Sequence, residues 1–367
     1  GIRDYKVTGV QTCALPIYSI KGNDDVFLLD VREPQEFADF RIPGAVNIPL
    51  SQLFANDSLS QIPKDKKIIT ICSHGNRSMV ATFALAKNGL ESTSLIGGMS
   101  LWNQVLNCSI LKEGDITIMQ VEKIGKGCLS HIIGSNGEAI VIDPTYPPKK
   151  YVEFANEHGF KITKVIDTHQ HADHVSAAKE LTQISGAKLL LSGLEEYRLE
   201  SERISDGDTI TFGTKTLQAI HTPGHTPGGF TFVLDEKYVF SGDILFLEGI
   251  GRPDLRDNAE QFAANLYDTL HNKILKFGDE VKIFPTHHGE GVKPTKDGIF
   301  YTTVQNAKKL PLLDLNQSDF VSKVVSITTP RPMNYSIIIK INKGTIPISP
   351  EQIPDLEMGP NRCSVRM

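Results

Sequence analysis

The chain has 367 residues, of which 40% are hydrophobic and 22% charged, with a formal net charge of −5 at pH 7. This length is typical of two domains, and the composition excludes a largely disordered or collagen-like chain. The acidic balance offers no bulk basic surface for nucleic acid or an anionic membrane, and no apolar run reaches the roughly 18–20 residues that span a bilayer. The five cysteines form no CxxC pair, which argues against a disulfide framework and indicates the cytoplasm.

The beginning of the chain differs in character from the rest. Residues 3–17 resemble translated sequencing-adapter read-through, and we therefore predict that 1–18 is an artefact or a disordered segment without a function. On this interpretation the segment has replaced the true beginning of the domain that follows.

Residues 19–107 predict a first α/β domain. The runs 26–31 and 67–72 are short and continuously apolar, as expected of buried parallel strands. Residues 77–88 have helical periodicity and end at an Asn-Gly pair, and 93–96 predict a further strand. Residues 108–115 predict a polar linker.

Residues 116–304 predict a second α/β domain with a mixed sheet. Strands are expected first, at 116–121, 128–134 and 139–143, and strands then alternate with helices, one of which is predicted at 173–183. The C-terminal extension, 305–367, is expected to pack on this domain.

Cys72 lies between a predicted buried strand and a predicted helix. A loop in this place directs backbone N–H groups at the cysteine, and the helix N-terminus adds positive potential. Both lower the pKa of a thiol and favour the nucleophilic thiolate. We therefore predict Cys72 as catalytic together with Arg77, which adds a fixed charge. The residues between them are predicted to bind substrate: Ser73, His74, Gly75 and Asn76.

This loop resembles that of the rhodanese family. Matching segments lie on both sides of it, at 29–32, 36–37, 42–45, 47–49, 97–99 and Trp102. In that family the cysteine carries a persulfide sulfur, and the six-residue loop suits sulfur, whereas related phosphatases and arsenate reductases have a longer loop. The resemblance implies sulfane-sulfur transfer between thiosulfate or sulfite and a thiol. The chain departs from the family at Arg41, where histidine is common.

Histidines and aspartates recur after four predicted strands, each group beside a glycine or proline turn. Ligand sites of α/β domains gather where strands end, and imidazole and carboxylate ligands suit zinc, iron or manganese. The candidate metal ligands are His169, His171, Asp173, His174, His225, Asp243 and His287. His288 is an alternative to His287, and His221 is expected to pack on a strand.

This pattern resembles the metallo-β-lactamase superfamily, whose fold is an αββα sandwich. The predicted fold class is therefore α/β, a rhodanese-like domain followed by that sandwich. The resemblance implies two metal positions that share Asp243. The other residues of one position are His169, His171 and His225. Those of the second position are Asp173, His174 and His287.

Residues 251–255 and 359–363 resemble segments of persulfide dioxygenases, which oxidise glutathione persulfide to sulfite and also occur fused to rhodanese domains. The resemblance implies one Fe(II) per chain, held by His169, His225 and Asp243, an arrangement that leaves coordination positions open for O₂ and substrate. The other candidate ligands would orient these three by hydrogen bonds.

Further expectations follow from the same resemblance. Arg252 would anchor a substrate carboxylate or support a network around the site. The implied partners are a low-molecular-weight thiol or persulfide such as glutathione, O₂, and thiosulfate or sulfite. A homodimer is the usual default for an oligomer of this kind.

A dizinc hydrolase of the glyoxalase II type is the alternative, with two zinc ions per chain and a metal hydroxide that attacks a thiolester. Glyoxalase II has a helical C-terminal extension, whereas 324–326 and 336–341 suggest strands here. The identity of the ligands alone does not separate the two hypotheses. A non-catalytic sulfur carrier would be indicated by a missing cysteine or metal ligand, and none is missing.

Overall fold

A computed structural model describes residues 25–55, 58–254, 258–327, 331, 334–359 and 361–365. The segment 1–18 lies outside these residues, as do Leu255 and Pro360 of the segments that resemble persulfide dioxygenases. The described chain divides into two compact units, one up to Val105 together with residues 358–359, and one of residues 106–357 and 361–365. No helix within the described residues is long and apolar enough to cross a membrane.

A four-stranded parallel sheet forms the centre of the first unit, in the order β2-β1-β3-β4. Its elements are β1 (Val26–Asp30), α1 (Pro34–Asp39), β2 (Val46–Asn47), a 3₁₀ turn (Ser58–Gln61), β3 (Lys67–Ile71), α2 (Asn76–Lys87), β4 (Ser92–Ser94) and α3 (Gly98–Trp102). The apolar run of β3 is buried because helices cover a parallel sheet, and Cys72 follows directly at its end. Gly75, at a φ of 101°, makes the left-handed turn into α2.

Two sheets form the centre of the second unit. The seven-stranded sheet has the order β11-β10-β9-β8-β7-β6-β5. Its strands are β5 (Leu106–Glu113), β6 (Ile116–Lys123), β7 (Cys128–Ser135), β8 (Glu138–Ile142), β9 (Lys161–Ile166), β10 (Lys188–Ser192) and β11 (Glu202–Ile204). Strands β5 to β8 pair antiparallel, and β8 to β11 pair parallel.

The six-stranded sheet has the order β12-β13-β14-β15-β17-β18. Its strands are β12 (Thr209–Phe212), β13 (Lys215–His221), β14 (Phe230–Leu234), β15 (Tyr238–Gly242), β17 (Lys282–Pro285) and β18 (Thr302–Thr303). A separate pair joins β16 (Ile250–Gly251) to β19 (Ser364–Val365). The helices of this unit are α4 (Lys149–Glu157), α5 (Ala178–Ser185), α6 (Ala259–Asn272), α7 (Val304–Ala307), α8 (Gln317–Ser326), α9 (Tyr335–Asn342) and α10 (Ile353–Leu356), with 3₁₀ turns at Ile274–Lys276, Pro311–Asp314 and Pro350–Gln352.

The two sheets face each other across an apolar core, to which Ile133 and Ile142 contribute from one sheet and Phe232 and Phe284 from the other. Helices α4 and α5 pack on the outer face of the seven-stranded sheet, and α6 and α8 pack on the outer face of the six-stranded sheet. Each sheet is therefore buried on both faces. The αββα sandwich that the sequence predicted is confirmed.

The prediction of a linker at 108–115 is wrong. Most of it belongs to β5, which pairs with β6 without a break from Leu106 opposite Lys123 to Glu113 opposite Ile116. The predicted helix at 173–183 is also too long, since α5 begins only at Ala178. The residues before it form a loop, whose backbone and side chains are held by contacts described below.

The expected strands at 324–326 and 336–341 are helical. They lie in α8 and α9, although both are rich in β-branched residues. In α8 the Asn316 side chain caps the N-terminus by accepting from the backbone N of Asp319 at 3.0 Å. Phe320 and Val324, four residues apart, bury one face of this helix in the core. Packing and capping therefore override the local strand preference.

Candidate metal centre and sulfur-transfer loop

The candidate metal ligands stand in loops that follow four strands. The loop after β9 holds His169 to His174, the loop after β13 holds His225, and Asp243 and His287 follow β15 and β17. Backbone hydrogen bonds join these loops to one another. Thr168 O accepts from Phe230 N at 2.8 Å, and Gly242 O accepts from Thr286 N at 3.3 Å. The first bond joins the loops after β9 and β13, and the second joins those after β15 and β17.

His169, His225 and Asp243 form one buried group. The Nε2 atoms of the two histidines lie 3.7 and 3.5 Å from Asp243 Oδ2. Among the described residues, none of these three atoms has a hydrogen-bond partner. Buried polar atoms without partners are costly and rare, so three of them converging require another explanation. Two imidazole nitrogens and one carboxylate oxygen fit a divalent iron or zinc ion.

The other ring nitrogens of these histidines are engaged. His169 Nδ1 lies 2.8 Å from Thr168 Oγ1, which itself donates to Asp143 Oδ2 at 2.8 Å. His225 Nδ1 lies 2.8 Å from Arg252 O. Since a carbonyl can only accept, and the Thr168 proton is already donated, Nδ1 carries the proton in both rings. Each Nε2 lone pair is therefore free for a metal ion.

The electrostatics of this group favour neutral histidines beside an ionised carboxylate. Burial lowers the pKa of both His169 and His225. For Asp243, burial opposes ionisation, but the nearby His287 outweighs it and holds the pKa of the carboxyl well below its ordinary range. Asp243 Oδ1 accepts from the Thr286 hydroxyl and from His287 Nδ1, the latter at 2.6 Å. Only Oδ2 is left for a metal ion.

Asp173, His174 and His287 form a second buried group, in which the Nε2 atoms of both histidines have no hydrogen-bond partner among the described residues. His287 Nε2 lies 2.9 Å from Asp173 Oδ2, and His174 Nδ1 lies 3.1 Å from Asp173 Oδ1. His287 therefore faces a carboxylate at each ring nitrogen. Burial lowers the pKa of His287, but Asp243 and Asp173 outweigh it and raise that pKa well above its usual value. Side chains of this kind could also hold a metal ion.

Cys128, to which the sequence gave no role, belongs to this second group. Its thiol lies 3.6 Å from Asp173 Oδ2 and 3.9 Å from His174 Nδ1. Its backbone forms an isolated β-bridge with His287. Burial raises the pKa of the thiol, but the charge of His287 and His174 lowers it to about 7. No local sequence signal marks the residue, because it stands at the beginning of an ordinary strand.

His288 lies apart from both groups, whereas the ring of His171 contacts a histidine of each: its centroid is 4.2 Å from that of His169 and 4.3 Å from that of His174. His171 Nε2 lies 3.0 Å from Asp143 Oδ1, and its Nδ1 has no partner among the described residues. His288 Nε2 lies 3.2 Å from Glu122 Oε1, and its ring stacks on Phe300 at 4.0 Å. Of the two adjacent histidines, His287 is therefore the one that reaches Asp243. His221 contacts Pro227 O at 2.9 Å, away from the candidate ligands.

Two residues of the C-terminal extension hold the histidine loop. Asn342 Nδ2 donates to His171 O and His174 O, both at 2.9 Å, and Asn342 Oδ1 accepts from Ser176 N at 2.9 Å. Glu357 Oε1 accepts from Val175 N at 2.6 Å. Sequence reasoning missed both, since they lie about 170 residues along the chain from the loop that they support.

Arg252 lies beside this centre, and its side chain pairs with a neighbouring carboxylate. Its side chain is fully buried and pairs with both carboxylate oxygens of Asp254 at 2.7 Å. It also donates to Arg362 O at 2.9 Å. Of the two roles expected from the sequence, the geometry favours the supporting network over the substrate anchor. The backbone carbonyl of Arg252 is the one that orients His225.

Cys72 lies in a loop that stabilises a thiolate. Its Sγ accepts from Gly75 N at 3.1 Å and lies 3.4 Å from Ser78 Oγ. Burial raises the pKa of the thiol, but hydrogen bonds from Ser78 and from the backbone N–H groups of His74 and Gly75 outweigh it and lower the pKa overall. The side chains of His74 and Asn76 are exposed, whereas Ser73 and Arg77 are half-buried.

Comparisons with known proteins match both units. Residues 17–105 match the model of the rhodanese-like domain, and residues 125–288 match that of the metallo-beta-lactamase superfamily. The chain is 31% identical over 209 residues to persulfide dioxygenase ETHE1, mitochondrial, of Mus musculus. The match covers 56% of this chain and 78% of that protein. It is 32% identical over 164 residues to a hydroxyacylglutathione hydrolase of Rhizobium etli. That match covers 44% of this chain and 61% of that protein.

Solved structures show the same fold. A metallo-beta-lactamase from Staphylococcus aureus is 29% identical with a TM-score of 0.59, and the match covers 64% of this chain and 75% of that one. ETHE1 from Myxococcus xanthus is 24% identical with a TM-score of 0.56, and the match covers 62% of this chain and 99% of that one. At this identity the second likeness establishes the fold alone.

Proposed function

Since the chain belongs to the persulfide dioxygenase family of the metallo-beta-lactamase superfamily and carries a rhodanese-like domain, we propose that it oxidises a low-molecular-weight persulfide, such as glutathione persulfide. In this reaction the persulfide, O₂ and water give the thiol, sulfite and two protons. The sulfane sulfur loses four electrons and O₂ gains them. The observation that carries the proposal is the convergence of three buried, unpartnered ligand atoms on His169, His225 and Asp243.

We propose one Fe(II) per chain at these three residues. Bound Fe(II) would supply the redox chemistry that O₂ requires, and three protein ligands leave positions for O₂ and substrate. His169 and His225 would donate through Nε2, while Thr168 and the Arg252 carbonyl fix their tautomers. Asp243 would bind through Oδ2, while His287 and Thr286 occupy its other oxygen. All three side chains are buried.

The contacts of the second buried group bear on the number of metal ions. Asp173, His174 and His287 already contact one another and Asp243 at 2.6 to 3.1 Å. A second ion would have to compete with the contacts of His287 with both carboxylates. We propose that these residues orient Asp243 instead of binding metal.

We propose that the first unit is a sulfurtransferase that exchanges sulfane sulfur with a thiol. The Cys72 thiolate attacks the outer sulfur of the donor, a new S–S bond forms, and the S–S bond of the donor breaks. The leaving group departs with the electron pair of the broken bond, as a thiolate from a persulfide or as sulfite from thiosulfate. Cys72 then carries a persulfide, which a thiol can take up by the reverse step.

The stoichiometry of the oxidation tests the proposal. With glutathione persulfide in air, we expect one sulfite for each O₂ consumed, and no sulfite in the absence of O₂. O₂ consumption without sulfite would point to unspecific thiol oxidation and would contradict the proposed reaction.

A dizinc thiolester hydrolase is the second candidate, and two observations favour it. The chain is similar to a hydroxyacylglutathione hydrolase, and its extension contains helices α8 and α9, so the expected contrast with a helical extension does not hold. His171 Nδ1, His174 Nε2 and His287 Nε2 are also without a hydrogen-bond partner among the described residues, as additional metal ligands would be. Hydrolysis of S-lactoylglutathione by the zinc-loaded protein would support this candidate.

The cytoplasmic location and the homodimer stay predictions. The names of the relatives from Mus musculus and Homo sapiens include the word mitochondrial, which is a property of those proteins.

A further inference from the structure

Glu36, on the short helix α1, pairs with the one arginine of the Cys72 loop. Its carboxylate oxygens Oε2 and Oε1 accept from Arg77 NH1 and NH2, both at 2.7 Å. Ser73 Oγ donates to Glu36 Oε1 at 2.8 Å and accepts from Arg77 NH2 at 2.9 Å. The guanidinium is therefore held by a bidentate carboxylate and by a loop hydroxyl, an arrangement of fixed geometry.

The pairing cancels the charge of the loop arginine. The hydrogen bonds from Arg77 are the main cause that lowers the pKa of Glu36 to about 2, so Glu36 is an anion at every pH at which the protein would work. Arg77 is a permanent cation. The pair thus carries no net charge, and the largest effects that lower the pKa of the Cys72 thiol come from Ser78 and from backbone N–H groups.

The charge of the Cys72 loop affects which sulfur donor the loop favours. Thiosulfate is a dianion, and it must approach a thiolate, which is itself negative. Sites that bind such anions usually offer uncompensated arginine or lysine side chains. A thiol persulfide carries at most one negative charge at the reacting sulfur atoms, so it depends less on a free cation.

We propose that Glu36 determines the sulfur donor of the Cys72 loop: by neutralising Arg77 it disfavours thiosulfate and leaves a thiol persulfide as the preferred donor. The inference rests on the proposed sulfurtransferase function and specifies its substrate class. It connects the two units chemically, since a thiol persulfide is also the proposed substrate of the metal centre. Glu36 acts through Arg77 and is a specificity-determining residue rather than a catalytic one.

Glu36→Gln tests the proposal, because it keeps the shape of the side chain and frees the charge of Arg77. In the absence of O₂, full-length protein is mixed with either thiosulfate or glutathione persulfide. Under these conditions no oxidation takes place at the metal centre. The rate at which Cys72 gains one sulfur is followed by mass spectrometry. We expect the ratio of the rate with thiosulfate to the rate with persulfide to rise about threefold or more, from one unit charge acting across several ångströms. The rise should shrink in high salt.

Two further variants make the result decisive. Asp39→Asn removes one carboxylate from the same helix, at an exposed position whose side chain contacts Gln35, and should leave the ratio unchanged. Arg77→Gln leaves Glu36 as an unpaired anion and should lower the ratio. Because this shift is opposite in sign to that of Glu36→Gln, general destabilisation of the loop cannot produce both.

The outcomes separate the inference from the function on which it rests. If Cys72 of the parent protein gains no sulfur from either donor, the proposed sulfurtransferase function is wrong and the inference with it. If the parent protein reacts but Glu36→Gln leaves the ratio unchanged, the sulfurtransferase function stands and the role of Glu36 is overturned.

Discussion

His225 Nδ1 donates a hydrogen bond to the backbone carbonyl of Arg252 across 2.8 Å. The Arg252 side chain is in turn fixed by Asp254, and its backbone N donates to Cys363 O at 3.0 Å. A residue that looks from its sequence context like a substrate anchor therefore sets the tautomer and direction of a candidate metal ligand. Arg252 thus links Cys363, near the C-terminal end of the chain, to the metal centre.

Arg252→Lys should weaken the metal centre. Lysine keeps the positive charge but cannot form the bidentate pair with Asp254, so the backbone carbonyl that orients His225 loses its support. We expect iron affinity to fall by about 10-fold to 100-fold, the usual effect of losing a partner of a metal-ligating histidine. Competition with a chelator measures it. Unchanged affinity would show that the orientation of His225 does not depend on this side chain.

Two histidine variants test the number of metal ions. His225→Gln removes a proposed ligand, and we expect the iron content to fall from about one per chain to near zero. His174→Gln is the control from the second buried group and should retain most of the iron, since His174 contacts Asp173 rather than Asp243. Metal analysis of both purified variants gives the answer. Equal loss of metal from both would instead favour a shared two-metal site.

Asn342→Leu should destabilise the second unit and the metal centre together. The side chain makes three hydrogen bonds to the backbone of the histidine loop, and leucine leaves those buried groups unpaired. We expect a loss of about 2–4 kcal/mol in the free energy of unfolding. Denaturant unfolding of the metal-free protein measures it. Asn342→Asp keeps only the acceptor for Ser176 N and sets a carboxylate oxygen against the two carbonyls, so it should also be strongly destabilising. A loss much smaller than that of Asn342→Leu would show that the donated bonds are not the cause.

His131 should make the metal-free protein sensitive to acid. It is fully buried between the sheets beside Phe240 and Phe284, and burial lowers its pKa to about 3. Between about pH 6.5 and pH 3 the unfolded chain binds a proton at this residue that the folded protein does not. Stability should therefore fall through this range, with a contribution of up to about 1.4 kcal/mol per pH unit.

The non-titrating variant His131→Gln isolates this contribution. The difference in unfolding free energy between the parent protein and the variant should diminish as the pH falls from neutrality, because only the parent loses stability through His131. A difference that stays constant across the range would mean that His131 is protonated in both states or in neither.

Cys72→Ser should separate the two activities. The variant lacks the sulfur nucleophile, so transfer from either donor to a thiol should stop. Oxidation of glutathione persulfide should continue, because no candidate metal ligand lies in the first unit. Sulfite release and thiol persulfide formation are measured in parallel. Loss of both sulfur transfer and persulfide oxidation in a protein that is still folded would indicate that the oxidation requires transfer of sulfur by Cys72.

The site residues that could be predicted from the sequence are those that belong to a recognisable local pattern. Histidines and aspartates after strands, and a cysteine between a strand and a helix, could be recognised because their surroundings repeat a pattern along the chain. The structure brings His169, His225 and Asp243 into one group, as the resemblance implied, and places His171 against Asp143. The separation of these roles depends on side-chain direction, which sequence spacing does not encode.

The missed features are products of tertiary structure. Asn342 and Glu357 support the histidine loop from a distant part of the chain, and Cys128 enters the second buried group only because its strand pairs beside His287. The β-branched stretches of α8 and α9 suggest strands when taken alone, yet packing makes them helical. Such contacts become visible only when the chain is folded.

The most direct test of the central proposal joins metal content to O₂ uptake on one sample. The protein is purified without oxygen, its metals are counted, and O₂ consumption is followed after glutathione persulfide is added. We predict about one iron per chain and persulfide-dependent O₂ uptake with release of sulfite. Two zinc ions per chain and no O₂ uptake would contradict the account and would identify a hydrolase instead.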